Sequence, residues 1–252
     1  MKLTRHSVVV ILLICLPAVA QAAVGTQKRM SDAAHYNTCL AASSTDPASA
    51  LTNAEAWEKS GGGVPADHCA ALALVNLKRY PEAASRLDQI AAERGVPNIS
   101  FRVALYDQAG NAWLLAGNGA HAVQSFSAAL ALSAGDADLF ADLARAQAMR
   151  HDWHEVDLDL NAALHLAPRR ADLLVLRASA RRALQRYQEA NADIETALKL
   201  KPRDGDALLE RGLLRKQLGD LGGARRDFQA ALKSTSGETA AQAKENLDAL
   251  SP

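Results

Sequence analysis

An excess of charge of either sign is the first thing this chain lacks: its 28 lysines and arginines are matched by 28 aspartates and glutamates. Capture of nucleic acid needs a basic face that displaces counterions from phosphates, and nothing in the balance supplies one. Catalytic groups are the second absence. No nucleophile is paired with a base, no two carboxylates form an acid/base set, and no glycine-rich loop is built to hold phosphate. Gly61-Gly62-Gly63 has neither the lysine nor the strand context of such a loop and reads as a hinge. Neither an enzymatic activity nor a cofactor is therefore expected. Aromatic residues make up only 4% of the chain while alanine is abundant, a composition suited to helices that approach one another closely.

Long apolar runs are missing as well, with one short exception. Lys2 and Arg5 precede an apolar stretch from Val8 to Leu16, followed by Ala18, Ala20 and Ala22. The arrangement reads as a secretory signal peptide over residues 1–22, cleaved near Ala22. A membrane anchor is the competing reading, but the apolar stretch falls well short of the roughly 20 residues a bilayer span needs. Cys15 follows Ile14 inside the apolar run and is assigned to the leader, not to lipid attachment. Export to the periplasm or beyond the cell is expected, with no membrane span after cleavage. Of the 28 basic residues Lys2 and Arg5 leave with the leader, and the remaining 26 face 28 acidic ones, so the mature chain is also close to neutral.

What the chain does contain is a 34-residue period. Gly110, Ala144, Ala178 and Gly212 recur at that interval, and so do Ala122, Val156, Ala190 and Ala224. Phe126, Leu160, Ile194 and Phe228 form a third ladder, Ala129, Ala163, Ala197 and Ala231 a fourth, and Leu130, Leu164, Leu198 and Leu232 a fifth. Within one unit the Ala122, Phe126 and Ala129 positions are spaced by four and three, which is one face of a helix. Small residues would let two helix axes approach, and the bulky ladder would fill the space between neighbouring units. Gly117-Asn118-Gly119 and Asp220-Leu221-Gly222-Gly223 break the helices where a hairpin must turn, and Pro168 and Pro202 mark the joints between units. Position seven of the unit, held by Ala109, Leu143, Arg177 and Arg211, is the least regular.

This pattern resembles the tetratricopeptide repeat, a helix-turn-helix unit with the same period. The resemblance implies an all-α fold, a right-handed superhelical solenoid of such repeats with an N-terminal helical cap and a C-terminal capping helix. Four units are placed within 103–236, near 103–136, 137–170, 171–204 and 205–236. Arg79-Tyr80-Pro81-Glu82-Ala83 is similar to Arg186-Tyr187-Gln188-Glu189-Ala190 and marks a divergent unit over 64–102. The step from Ala83 to Ala122 exceeds the period by five positions, and the extra residues are expected within Glu93 to Asn98. Residues 23–63 form a degenerate cap with helices over Asp32–Ser43 and Pro47–Ser60. At 237–252 a last helix presents Ala240, Ala243, Leu247 and Leu250 on one face, as a terminal repeat surface requires.

Cys39 and Cys69 remain after cleavage, an even number in a chain expected to reach an oxidising compartment, and a disulfide is their expected state. Counting repeat positions backwards puts both in the first helices of adjacent units, compatible with bridging distance. The competing reading is a thiol- or metal-handling site, because His35 precedes Cys39 by four residues and His68 adjoins Cys69. Against it, the C-x2-C spacing and the haem-attachment pattern are absent, and adjacent His68 and Cys69 point to different helix faces. No metal is expected. His151 and His154 flank Trp153 at a turn between helices and read as a solvated turn over a packed indole.

In the family this chain resembles, first helices line a concave face that takes an extended peptide or a helix of a partner. The positions it implies here are Asp107, Gln108 and Asn111, then Asp138, Asp142 and Arg145, then Arg182, then Glu210 and Lys216. Ala141 falls on the same face. Members that grip a C-terminal carboxylate use lysine and two asparagines, of which only Asn111 has a counterpart, with Asp107 and Asp142 in other places of the set. Val175, Leu176, Leu209 and Leu213 make the face apolar in the last two units, and the final helix is expected to fold onto them. The function implied is that of a non-catalytic adaptor or scaffold for a protein partner in the cell envelope.

Overall fold

A computed structural model describes residues 32–250, and among these all regular structure is helical. The helices are α1 over 32–45, α2 (Pro47–Lys59), α3 (Gly63–Asn76), α4 (Tyr80–Ala92), α5 (Ile99–Leu115), α6 (Gly119–Leu132) and α7 (Ala137–Met149). They continue with α8 (Trp153–Leu166), α9 (Ala171–Ala183), α10 (Tyr187–Leu200), α11 (Gly205–Gln217), α12 (Leu221–Ser234) and α13 (Gly237–Asp248). The leader expected over residues 1–22 lies outside the described residues. The chain divides into two units, one up to Asn76 and the other from Leu77 onwards.

In the second unit each helix packs on the next, α4 on α5 through to α12 on α13, with α11 also meeting α9 and α13. The seam is made by the ladders. Ala122, Val156, Ala190 and Ala224 are fully buried, as are Phe126, Leu160, Ile194 and Phe228, and Ala129, Ala163, Ala197 and Ala231. The Gly110 ladder is buried too, and its side-chain sizes follow the residue across the seam. A Cβ on Gly110 would stand 2.6 Å from the Phe126 ring, and one on Gly212 would stand 2.5 Å from Phe228. In the two middle repeats, which carry Ala144 and Ala178, the corresponding core residues are the smaller Leu160 and Ile194. Close packing holds the summed volume constant while the parts vary.

Every turn within a helix pair of this unit passes through one residue in the left-handed region: Gly117 (φ 72°), His151 (φ 61°), Gln185 (φ 60°) and Gly219 (φ 85°), and Lys78 (φ 59°), just before α4, lies in the same region. The first four keep the repeat period, and Lys78 precedes Gly117 by the same longer step that separates Ala83 from Ala122. Its backbone bonds recur as well, with Asn118 N donating to Trp113 O, Asp152 N to Gln147 O, Arg186 N to Arg181 O and Asp220 N to Arg215 O. His151 is thus a turn residue, its ring edge-on to Trp153 at 5.5 Å.

The five extra residues do not all sit between Glu93 and Asn98. The connection 93–98 is six residues long against four at 133–136, and α5 has 17 residues where α7 has 13. An added helical turn carries the rest, beginning at Ile99 and running through the boundary expected at 102/103. The Asn98 side chain accepts from Phe101 N at 2.8 Å to cap this turn, and Arg102 Nη2 donates to Glu93 O at 2.8 Å.

At the other end α13 covers the last repeat. Ala243 is fully buried, Leu247 and Leu250 pack against the core, and Lys216 Nζ donates to Asn246 Oδ1 at 3.0 Å. Thr239 Oγ1 donates to Asp206 Oδ1 at 2.5 Å.

The first unit comprises α1, α2 and α3. Asp46 caps α2 by accepting from Ser49 N at 3.2 Å, with Pro47 at the first helical position where its missing N–H is harmless. Ala50, Leu51, Ala54 and Trp57 of α2 and Ala66, Cys69, Ala70 and Ala73 of α3 are buried. Within Gly61-Gly62-Gly63, expected as a hinge, Gly61 and Gly63 are exposed with φ of 92° and 53°, and Gly62 is packed. A Cβ on Gly62 would lie 2.8 Å from the Trp57 indole and 2.7 Å from Ala66 Cβ, so the indole lies directly against the backbone there.

Candidate functional site

The first helices α5, α7, α9 and α11 carry the residues expected to line the concave face, and the structure gives them unequal parts. Asp107, Gln108, Asn111 and Asp142 are half-buried, whereas Asp138 and Arg145 are exposed. Asn111 Nδ2 donates to the Asp107 carboxylate and carbonyl, both at 3.0 Å, one helical turn away. Burial, reinforced by the charges of Asp142 and Asp136, pushes the Asp107 carboxyl up to about 6. Burial also raises Asp142, opposed by its ion pair with Arg145. Asp138 pairs with Arg170 at 2.8 Å, which also grips Asp172 at 2.7 Å.

Toward the C-terminus, Arg182 pairs with Glu210, which is only 6% exposed and whose carboxyl burial still pushes up. Lys216 is engaged by α13. These three therefore join neighbouring elements together. Beside Glu210 lies a cleft of about 320 Å³ whose lining includes Val175, Leu176 and Leu209, with Arg145, Asp172 and Asp206 also at the wall. Thr239 and Gln242 of α13 close one end. The last helix thus covers part of the apolar face and leaves a pocket beside itself. Ala141, placed on the same face by its repeat position, is 1% exposed and belongs to the core. Its methyl joins the buried cluster that includes Ala144, Leu173 and Leu174, so neighbouring core packing covers it.

The irregular position seven has a structural explanation that the sequence reading missed. Arg177 of α9 grips Asp193 with two bonds, at 2.9 and 2.6 Å, and Arg181 adds a third at 2.9 Å. Arg177 also donates to Asn161 at 2.6 Å, and Arg181 to Asp157 at 2.8 Å, so both arginines reach back to α8. One repeat on, Arg211 and Arg215 grip Asp227, with Arg211 to Asp227 at 2.9 Å and Arg215 to Asp227 at 2.6 Å. Asp157, Asp193 and Asp227 are 4%, 4% and 3% exposed, so these are buried carboxylates satisfied by guanidinium pairs. The hydrogen bonds and charges of Arg181 and Arg186 hold Asp157 below the usual carboxylate range against the opposing effect of burial. A signal was present: Arg177/Arg211, Arg181/Arg215 and Asp193/Asp227 each recur at the repeat period.

In the first unit the sulfurs of Cys39 and Cys69 are at bonding distance, with Cα atoms 6.1 Å apart on α1 and α3. The two histidines near them are directed elsewhere. His35 stacks on Trp57 with ring centroids 4.3 Å apart, and the Tyr36 hydroxyl hydrogen-bonds His68 Nδ1. The structure does not gather His35, Cys39, His68 and Cys69 into one coordination sphere, and among the described residues no cluster of three or more histidine, cysteine or acidic side chains forms one. Among those residues, too, no helix is long and apolar enough to cross a membrane.

Residues 176–248 match the family model described as tetratricopeptide repeat. Among solved structures, the chain is similar to a thermophilic tetratricopeptide-repeat protein of Thermus thermophilus, at 16% identity and a TM-score of 0.56, over 71% of this chain and 94% of that one. It is also similar to the crystal structure of MamA, at 20% identity and a TM-score of 0.54, over 63% of this chain and 92% of that one. A second MamA structure matches at 19% identity and a TM-score of 0.54, over 67% and 91%. At such identities the likeness is one of fold. No curated protein matches the chain. The repeat period, the stacked hairpins and the family match over 176–248 agree on a tetratricopeptide-repeat fold.

Proposed function

We propose that this protein is a non-catalytic adaptor that captures an extended peptide or a helix of a partner protein along α5, α7, α9 and α11. The observation that carries the reading is the cleft of about 320 Å³ beside α13, where Val175, Leu176 and Leu209 form apolar lining next to charged Arg145 and Asp172. Apolar anchors flanked by polar groups are how grooves on helical scaffolds hold short segments. Farther along the face, Asp107 and Asp142 hold carboxyls that burial pushes up. That end disfavours a C-terminal carboxylate and suits a segment whose apolar residues are followed by lysine, arginine or a free amine.

The setting we infer is the periplasm or the exterior, reached through the leader over 1–22, with Cys39 and Cys69 bridged in the oxidising compartment. The alternative of thiol or metal handling lacks support in the contacts of His35 and His68. Intact mass before and after alkylation separates the two: a loss of two hydrogens with no reactive thiol is expected, and free thiols with stoichiometric metal would overturn the bridge.

In-cell photocrosslinking tests the adaptor reading, with the probe at Ser179 in the cleft and a control at exposed Thr196 on α10. One protein adduct at Ser179 that is absent at Thr196, and that weakens with Leu209→Glu, is expected. Equal labelling at both positions, or none at Ser179, Arg145 and Gln242 alike, would remove the groove from consideration.

A further inference from the structure

Three repeats carry an aspartate at the same place in the second helix, Asp159, Asp193 and Asp227, and only two of these are paired with cations. Asp193 receives Arg177 and Arg181, and Asp227 receives Arg211 and Arg215. In the repeat of α7 and α8 the two arginine positions are Leu143 and Gln147. Leu143 is buried and Gln147 is 8% exposed, so apolar and neutral groups stand where guanidinium groups stand in the next two repeats.

The consequence is visible atom by atom. Asp159 Oδ2 and Gln147 Oε1 are buried and have no hydrogen-bond partner, and among the described residues they are the two side-chain atoms in that condition. Both are acceptors. Gln147 supplies Asp159 with one neutral hydrogen bond; what is missing is a group that donates several and carries positive charge, since Glu155 acts on the same carboxylate. A guanidinium has five donors in a planar fork and matches a carboxylate bidentately. Asp159 remains partly open to solvent, unlike Asp193 and Asp227, and exposed Leu158 (48%) adjoins it in sequence. A side chain from outside therefore approaches along the open part of Asp159 and reaches the buried Oδ2 by displacing what covers it.

We propose that Asp159 and Gln147 form a docking point for an arginine of a partner protein, on the second-helix side of the repeat and separate from the first-helix cleft. Beside the shorter Gln147, the incoming guanidinium plays the part that the guanidinium groups of Arg181 and Arg215 play in the two following repeats, donating to Asp159 Oδ2 and Gln147 Oε1.

The test uses methylguanidinium as the probe on the full chain, with methylammonium at equal ionic strength as the comparison. The readout is NMR of the Gln147 side-chain amide and the Asp159 carboxyl carbon. Saturable shifts of both resonances with methylguanidinium, several-fold smaller with methylammonium, are expected. Gln147→Arg should fill the site internally and abolish the response, and Asp159→Asn, which keeps the shape, should abolish it as well. Shifts that rise linearly without saturation, or that persist in Gln147→Arg, would overturn the proposal. So would an Asp159 carboxyl that stays protonated at neutral pH, or a bound water that satisfies both acceptors and that the probe does not displace. Equal response to methylammonium would replace arginine-specific recognition with simple cation binding and equally overturn it.

Discussion

Gly110 and Gly212 show how a single hydrogen in place of a methyl sets the spacing of a repeat. Each faces a phenylalanine that leaves no room for a Cβ, and a helix interior gives no other reason for glycine, which costs about 1 kcal/mol relative to alanine there. Gly212→Ala is expected to destabilise by about 1–3 kcal/mol through overpacking despite that helical gain. Adding Phe228→Leu should recover part of the loss, since Ala144 already coexists with Leu160. A double-mutant cycle by urea unfolding checks this, and additive losses would show that the two sites do not share the space. The turn residues make the opposite case: Gln185 holds φ 60° without being glycine, so Gln185→Gly is expected to stabilise by about 1 kcal/mol. An unchanged melting temperature would argue against strain at that turn.

Asp107 belongs to the same scale. Its carboxyl titrates near 6 in the folded protein, above the ordinary value, so the folded state holds the proton more tightly than the unfolded one. The stabilisation from that proton is fully present below the ordinary carboxylate pKa of about 4 and is lost as pH rises through about 6. Asp107→Asn should therefore stabilise the protein at pH 7 and make little difference near pH 3.5. Stability curves for the two proteins that stay parallel across this range would refute the assignment.

At the scale of elements, the second helices α8, α10 and α12 are held to the first helices by two different devices. One is the alanine and large-apolar seam, where Ala197→Leu is expected to cost about 1–3 kcal/mol because a fully buried Cβ has no space beside it. The other is the guanidinium clamp. Asp193→Ala would leave the mostly buried Arg177 with no carboxylate, only Asn161, while Arg181 keeps Asp157, and the expected loss is about 3 kcal/mol. Exposed pairs such as Arg79 with Glu82 should contribute far less by the same measurement, because water and salt screen them. Equal effects at Asp193 and Glu82 would mean that burial plays no part. The seam is legible in the sequence because apolar side chains need only a face, and a face follows from spacing. The clamps are hidden there because a lone arginine at position seven looks like a departure until the aspartate of the following helix is seen to meet it.

For the whole molecule, the first unit carries a cysteine pair at bonding distance that the second lacks. Cys39 and Cys69 enclose a stretch with a sequence separation of 30, for which chain entropy gives about 3–4 kcal/mol. Reduction, or Cys39→Ser with Cys69→Ser, should accelerate amide hydrogen exchange across 32–76 and leave the helices of 137–234 unchanged. No acceleration would mean that the burial of Trp57, Ala54 and Ala70 holds the unit without the bridge.

The period, the placement of helices and turns, and the covering role of Ala243, Leu247 and Leu250 follow from the order of residues alone. Each depends on residues within one or two helical turns or on exact repetition, and both can be read along a line. The cysteine approach across α1 and α3, the packed turn at Gly62, the added turn of α5 and the inward position of Ala141 were settled by packing. So were the elevation of Asp107 and the unpaired acceptors at Gln147 and Asp159. In each of these the deciding quantity is a distance between groups on different elements, or the exclusion of water by a neighbour, and neither is set until the helices have packed.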